Sequence, residues 1–367
     1  MIFCSNPSAQ YKSYQAEIDE AVLAVMRGHQ YVLGNEVLNL EQEFAEYIGT
    51  LEAIGVANGT DAIELSLRAL DIGTGDEVIT VSHTAVATVA AIEAACATPV
   101  LVDIESKFYT LDPNQLEEVI TSKTKAVIAV HLYGQSSDIL EIQAFCIKNN
   151  LFLIEDVSQA HGAKFNGKRL GSIGDIACFS CYPTKNLGAI GDAGLITTNS
   201  KNLATKIRML REYGWKNRIS EFSGRNSRLD ELQAAILRIK LKYLDSDNEK
   251  RCQLAQYYKS NLLGSKVSLP EIRTRAESVF HLFVINADKR NELMKYLLKR
   301  GIQAGIHYSL PVHMHPAYKD RIVTANDMKV TEVIAERIIS LPIYPELAFE
   351  DVEKIAIIIK NFFEQSH

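Results

Sequence analysis

Between residues 50 and 200 short apolar runs alternate with amphipathic segments, and this alternation constrains the fold more than any other feature of the chain. The runs fall at 78–81, 99–104, 126–132, 151–154, 176–180 and 195–198. Between them, 60–70, 88–97, 113–120 and 139–149 carry apolar residues at helical spacing. Runs that are apolar almost throughout fit strands buried on both faces, and strands that alternate with helices fit a parallel sheet covered by them. The reading is an α/β fold. From Leu232 the positions Ile236, Ile239 and Tyr243 mark one face of a long helix. Ser227 and Asp230 form an S-x-x-D pair ahead of it, the pattern of a capping box. The helix is expected either to break at Asp245-Ser246-Asp247-Asn248 or to run through as a connector. Beyond residue 265 the pattern turns mixed, with strands expected at 279–285 and 302–307 and helices at 289–300, 330–338 and 349–363. This divides the chain into a large domain, 1–250, and a smaller α+β domain, 251–367.

Composition excludes several classes of function. The 367 residues carry 39 Lys and Arg against 45 Asp and Glu, a net charge of −6, so a nucleic-acid or anionic-membrane partner is not expected. The most apolar stretch, 86–102, is interrupted by Glu93 and Pro99 and is no spanning helix. The N-terminus lacks the basic start and apolar segment of a signal peptide. Six scattered cysteines (4, 96, 146, 178, 181 and 252) do not resemble a disulfide framework, which points to reduced thiols and a cytoplasmic location.

Four local patterns could carry chemistry. Asn58-Gly59-Thr60-Asp61 opens a helix; it is either an ordinary N-cap or a phosphate cradle of glycine backbone, helix N–H groups and the Thr60 hydroxyl. Glu155 and Asp156 end a strongly apolar strand, where α/β sheets bind ligands; a carboxylate there either caps a helix or pairs with a cationic ring nitrogen. Lys185 follows a strand and a Pro183 turn among apolar residues; it is either a surface lysine or a desolvated amine able to form a Schiff base. Gly224-Arg225-Asn226-Ser227-Arg228 precedes the long helix and is either solvated loop or an anion site. Three further patterns carry less. Gly73-Thr74-Gly75-Asp76 precedes a strand and is a turn, not a dinucleotide fingerprint. Cys178 and Cys181 lack the second pair that a zinc site needs, and His313 and His315 lack supporting ligands, so no metal is expected.

The order of these patterns is similar to that of fold-type-I pyridoxal-phosphate enzymes: a Gly-Thr helix start, a strand-end Asp156 with Gln159 three residues on, then Ser180 and Lys185. The wording resembles the DegT/StrS family of nucleotide-sugar aminotransferases at GVANGTDAIELSLRAL (55–70), IEDVSQAHGA (154–163), FSCYPTKNLGAIGDAG (179–194), GRNSRLDELQAA (224–235) and IHYSLPVHMHPAY (306–318), nearly end to end. The resemblance implies a mostly parallel seven-stranded sheet between helices and a smaller C-terminal domain. It implies that Lys185 holds pyridoxal 5'-phosphate and moves the proton, that Asp156 pairs with the ring nitrogen and that Gln159 bonds the ring hydroxyl. Gly59, Thr60 and Ser180 would hold the phosphate. Asn226 would reach the phosphate of a partner subunit's cofactor, in a homodimer with shared sites. Many members carry an aromatic side chain over the ring where this chain has Ala85, so either His83 covers the ring or smaller groups hold that face. The 306–318 segment resembles members acting at C3 of the sugar. That implies a dTDP-3-keto-6-deoxyhexose as acceptor, L-glutamate as donor and a 3-amino-3,6-dideoxyhexose nucleotide, for a surface glycan or a glycosylated metabolite, as product. His307, Tyr308 and His313 are candidates for sugar contact or for loop packing. A C4-specific aminotransferase and a non-catalytic sugar-binding relative stay as alternatives, while sugar dehydratases resembling this family replace the Schiff-base lysine with histidine.

Overall fold

A computed structural model describes residues 1–325 and 327–365. All six apolar runs are strands, and Glu52–Val56, whose mixed composition hides it among them, is a seventh. In chain order these are β1 (Glu52–Val56), β2 (Glu77–Val81), β3 (Thr98–Val102), β4 (Thr124–Val130), β5 (Phe152–Asp156), β6 (Ile176–Ser180) and β7 (Gly194–Thr198). Of the strands in the C-terminal part, three matter here: β8 (Phe283–Asn286), β9 (Val323–Thr324) and β10 (Ile338–Leu341). The central sheet runs β1-β7-β6-β5-β4-β2-β3-β9, so two residues of β9 extend the seven expected strands to eight. β7 pairs antiparallel with β1 and β6, and the other pairings are parallel. The carboxyl ends of the parallel strands therefore share one edge of the sheet. Helices Gly59–Ala69 and Val86–Ala94 leave β1 and β2 at that edge with their N-termini turned to it.

Helix Ile139–Asn149 has the expected bounds, whereas 113–120 is a 3-10 turn followed by one helical turn. The long helix runs unbroken from Glu231 to Leu262. Its Asp-Ser-Asp-Asn stretch does not interrupt it because three of those side chains bond to distant parts of the chain, not to their own backbone. Asp245 takes Arg169 at 2.8 Å, Asp247 takes the Tyr14 hydroxyl at 2.8 Å, and Asn248 accepts from Asn186 at 2.7 Å. The expected capping box does not form. Asp230 makes no side-chain cap bond, and the Ser227 hydroxyl accepts the Ala57 N–H at 3.3 Å. The neighbouring Glu231 carboxylate caps a different helix, Asn35–Ile48, taking the N–H groups of Gly34, Glu36 and Val37 at 2.8, 3.0 and 3.0 Å.

β8 and β10 pair antiparallel, and with helices Arg290–Leu298 and Phe349–Glu364 they close a second core around Tyr258, Phe283, Leu297 and Ile355. Ile2 joins that core from the N-terminus, while β9 returns to the edge of the large sheet. The segment 302–307 is not a strand. It makes single bridges, Ile2 to Ile302 and Gly305 to Ser340, because several of its residues line the cavity between the two cores.

Candidate active site

A cavity of about 840 Å³ opens at the carboxyl edge of the sheet. Asp156 ends β5 there, opposite Val130 of β4 and Cys178 of β6 in register. Successive strand side chains face opposite ways, and this separates the two carboxylates at the strand end. Glu155 turns away from the cavity into a closed cage. It accepts from His131 Nε2 at 3.2 Å and from the backbone N–H groups of Gly171, Ile173 and Gly174 at 2.9, 2.9 and 2.7 Å. Against the cost of burial, these four donors hold its carboxyl below the usual range. Glu155 is thus structural. Asp156 faces the cavity and is held by the Thr88 hydroxyl at 2.9 Å on one oxygen and by the Ser158 N–H at 3.2 Å on the other. A carboxylate has about four acceptor positions, so capacity for a further donor remains.

Lys185 lies in the turn after β6, its N–H bonded to the Tyr182 carbonyl at 2.8 Å, and its side chain lines the same cavity. Burial lowers its pKa from 10.5 to about 8, with Asp156 and Cys181 pulling the other way. Gly59, Thr60 and Ser180 line the cavity together. A Cβ on Gly59 would sit 2.6 Å from the Ser180 Cβ and 3.0 Å from its Cα, so only glycine lets the helix start close on β6. Asn58 caps that helix through the Asp61 N–H at 2.8 Å, which leaves the other first-turn N–H groups at the cavity wall.

Gln159 is buried at the cavity; its Oε1 accepts the Tyr133 N–H at 2.9 Å and its Nε2 donates to Tyr308 Oη at 3.1 Å. His307 and Tyr308 line the cavity as well. Burial lowers the His307 pKa to about 4 and raises that of Tyr308 to about 12. Three expected site residues lie elsewhere. His83 does not line the cavity; it is buried behind it, with Nε2 2.7 Å from Tyr133 Oη and its ring edge-on to Tyr109 and Tyr133. Ala85 lines the wall in its place, so a small residue and not an imidazole covers that side. His313 packs against Ser82 at 2.7 Å and Glu332 at 3.2 Å, outside the lining. Asn226 is exposed and does not line this chain's cavity. Conversely, Thr88, His281 and Gln303 belong to the site without having stood out in the sequence. Thr88, in the first turn of helix Val86–Ala94, has its hydroxyl 3.0 Å from that of Thr84, which precedes the helix.

The six cysteines are free thiols, and burial raises the pKa of Cys178 and Cys181 far above that of an exposed thiol. Among the described residues no group of three or more His, Cys, Asp or Glu side chains could hold a metal ion, and no helix is long and apolar enough to cross a membrane.

These residues fit pyridoxal phosphate. The glycine approach and helix start suit the phosphate, Asp156 retains acceptor capacity for a ring N–H, and Lys185 is an amine of lowered pKa in the same cavity. Comparison with known proteins agrees. A dTDP-3-amino-3,6-dideoxy-alpha-D-galactopyranose transaminase of Aneurinibacillus thermoaerophilus is 47% identical over 350 residues, 95% of this chain and 96% of that protein. The crystal structure of S. venezuelae DesV in complex with a ketimine intermediate superposes with a TM-score of 0.96 at 41% identity, covering 99% of this chain and 98% of the other. A putative sugar aminotransferase of Streptococcus pneumoniae solved in its PLP form gives a TM-score of 0.91 at 25% identity, covering 96% and 97%. Residues 12–360 match the family model as well, and the chain belongs to the DegT/DnrJ/EryC1/StrS aminotransferase family, whose cofactor is pyridoxal phosphate.

Proposed function

We propose that this chain transfers the amino group of L-glutamate to a dTDP-3-keto-6-deoxyhexose, giving a dTDP-3-amino-3,6-dideoxyhexose. The observation that carries the reading is Lys185 and Asp156 facing one another's cavity at the sheet edge, with the Gly59 helix start beside them. The sugar and its carbon position rest on three relatives: the Aneurinibacillus protein at 47% identity and one of Streptomyces venezuelae at 42% are named as dTDP-3-amino-sugar transaminases, and one at 40% from Acidithiobacillus ferrooxidans as a UDP-N-acetyl-3-dehydro-alpha-D-glucosamine 3-aminotransferase.

Bound pyridoxal phosphate supplies an electron sink for the carbon that loses its proton. The protein's groups do the rest. Asp156, fixed by Thr88 and Ser158, accepts from the ring nitrogen and keeps a proton on it. Gly59, Thr60 and Ser180 hold the phosphate. Gln159, anchored through Oε1 on the Tyr133 N–H, would offer the second N–H of Nε2 to the ring hydroxyl beside the one it gives Tyr308. Lys185 holds the cofactor between turnovers and, once displaced, takes and returns the proton at Nζ; a pKa of about 8 suits both directions. His307 and Tyr308 are assigned to the sugar and His313 is not, because it lies outside the lining. Asn226, exposed and away from its own cavity, serves the cofactor phosphate of a second copy in a homodimer. The free thiols support a cytoplasmic location.

The test is a half-reaction. Adding L-glutamate alone to the cofactor-loaded enzyme is expected to remove the cofactor's visible band and release one equivalent of 2-oxoglutarate. The product is then challenged with 3-keto and 4-keto sugar nucleotides. Absence of 2-oxoglutarate refutes the reading, and turnover of the 4-keto sugar alone moves the amination to C4.

A further inference from the structure

Asn186 directly follows Lys185, and its buried side chain ties three parts of the chain together. Its Nδ2 donates to Asn248 Oδ1 at 2.7 Å and to the Val279 carbonyl at 3.1 Å. Asn248 in turn donates through Nδ2 to the His161 carbonyl at 2.8 Å. Backbone carbonyls only accept, so both amides are fixed in orientation. Asn186 Oδ1 is therefore the acceptor that faces His281 Nδ1 at 3.1 Å, and Nδ1 carries the proton of that ring. The ring is neutral, since burial holds its pKa well below the usual value, with Lys185, Arg251, His307 and His161 acting in the same direction. A neutral imidazole with Nδ1–H presents a bare lone pair on Nε2. His281 is 6% exposed and lines the cavity that Lys185 lines.

Three imidazoles lie around Lys185, and they differ in what is fixed. His161 has no side-chain partner on either ring nitrogen, and only the Ser180 backbone acts on it as a hydrogen-bonding group. His307 Nδ1 meets the Ser340 hydroxyl at 2.8 Å, which can donate or accept. In His281 the side-chain network dictates which nitrogen is the acceptor. Lys185 also faces Asp156 and Cys181, and no further charged group acts appreciably on it.

We propose that His281 is a positioning residue for Lys185, its Nε2 accepting a hydrogen bond from the ε-ammonium once Lys185, free of the cofactor, has taken up its proton. The ammonium is thereby held at one place on the cavity wall between its two proton transfers. The proposal rests on Lys185 being the cofactor-bearing amine.

Two substitutions separate this role from simple anchoring. His281→Asn retains a donor for Asn186 in the place of Nδ1 but removes the Nε2 acceptor. His281→Gln places an amide carbonyl near the Nε2 position but gives up the bond to Asn186. The readout is the rate at which cofactor-free enzyme recaptures pyridoxal phosphate, followed against pH; capture needs the neutral amine, so the midpoint reports Lys185. Loss of the acceptor destabilises the ammonium, so the midpoint is expected to be lower by about one unit in His281→Asn than in the unsubstituted enzyme. His281→Gln is expected to retain the original midpoint. The reverse pattern, or equal midpoints in all three proteins, overturns the proposal. Long-range ¹H–¹⁵N spectra of the unsubstituted cofactor-free protein give an answer that needs no variant to fold: His281 is expected as the neutral Nδ1–H tautomer, and an Nε2–H tautomer overturns the proposal. Neither measurement uses an amino donor or a sugar, so failure of the L-glutamate half-reaction is read separately.

Discussion

His83 offers a quantitative test of how burial governs the acid stability of this fold. Tyr133 has one phenolic proton, and its Oη lies against the His307 carbonyl, which can only accept. Oη donates there and accepts from His83 Nε2 at 2.7 Å, so Nε2 carries the proton of the neutral ring. His83 Nδ1 is then a buried lone pair with no hydrogen-bond partner. A second proton on Nδ1 would be buried without an acceptor, and desolvation lowers the pKa from 6.5 to about 4 in spite of the opposing pull of Asp103. The unfolded chain binds this proton near 6.5 and the native chain near 4, so stability is fully present above 6.5 and declines as the pH falls toward 4. At about pH 5 the loss from this one group amounts to about 2 kcal/mol. His83→Gln retains an N–H for Tyr133 but cannot titrate. Urea unfolding of both proteins from about pH 7.5 to about pH 5 is the assay. The variant is expected to be the less stable at the upper end, because its packing is poorer, but to lose about 2 kcal/mol less on acidification. Every other titrating group is common to the two proteins, so the difference isolates His83. Parallel curves, or a steeper acid dependence in the variant, would refute the reasoning.

Four further outcomes are expected. Lys185→Ala lowers kcat by at least ~10³-fold while cofactor binding through the phosphate cradle survives in weakened form, as absorbance titration will show; surviving turnover contradicts the assigned role. Gly59→Ala forces a Cβ to 2.6 Å from Ser180 Cβ, with a cost of about 1–3 kcal/mol in stability and weaker cofactor affinity, read by thermal unfolding and titration. Glu155→Gln sets an amide against four donors in a closed cage, with an expected loss of about 3–5 kcal/mol; in the unsubstituted protein this carboxylate supports the fold above its unfolded pKa of 4.5 and stops doing so as the pH falls through its lower native value. Thr88→Val removes one of the two donors on Asp156 without changing volume, and kcat is expected to fall about tenfold or more, with an unchanged rate counting against Thr88 as the support of Asp156.

What was legible in the sequence follows from which forces act locally. Strands buried on both faces must be apolar throughout, so six of them stood out, and so did the charged residues that end or follow them, Asp156 and Lys185. Glu52–Val56 was hidden because it begins with a glutamate and contains a glycine. The Gly59-Thr60 start was visible as capping chemistry, but its close approach to Ser180 depends on two strands and a helix meeting, which no local pattern encodes. Tertiary hydrogen bonds account for the failures. Ser227 and Asp230 have the spacing of a capping box, yet the Ala57 N–H claims the serine. Asp245 to Asn248 look like a helix stop, yet Arg169, Tyr14 and Asn186 claim three of the four side chains. His83 and His313 look like site residues by motif, but Tyr133 and Ser82 hold them outside the cavity. His281 and Gln303 come from segments about a hundred residues beyond Lys185 and reach it only through folding.

The charges at the cavity carry an argument about assembly. Of the described residues that line it, Lys185 is the one Lys or Arg, against Asp61, Asp156 and Asp192. The histidines that join it in the lining, His281 and His307, are held neutral by burial, so they add polarity without charge. Asp61, in the first turn of the helix assigned to the phosphate, is paired with Arg225 and is thus neutralised locally. Asp156 is expected to be matched by a protonated ring nitrogen. The cofactor phosphate and the diphosphate of a sugar nucleotide then face a helix N-terminus and a single ammonium, and a helix N-terminus amounts to about half a charge. Polyanions in so cation-poor a cavity would be held more firmly by further donors from a second chain. The segment 224–228, with Asn226 exposed and Arg225 anchored at Asp61, lies on the surface of this chain and not in its own cavity. A second copy presenting that segment would add donors to the site, which is the physical argument for the proposed shared-site homodimer.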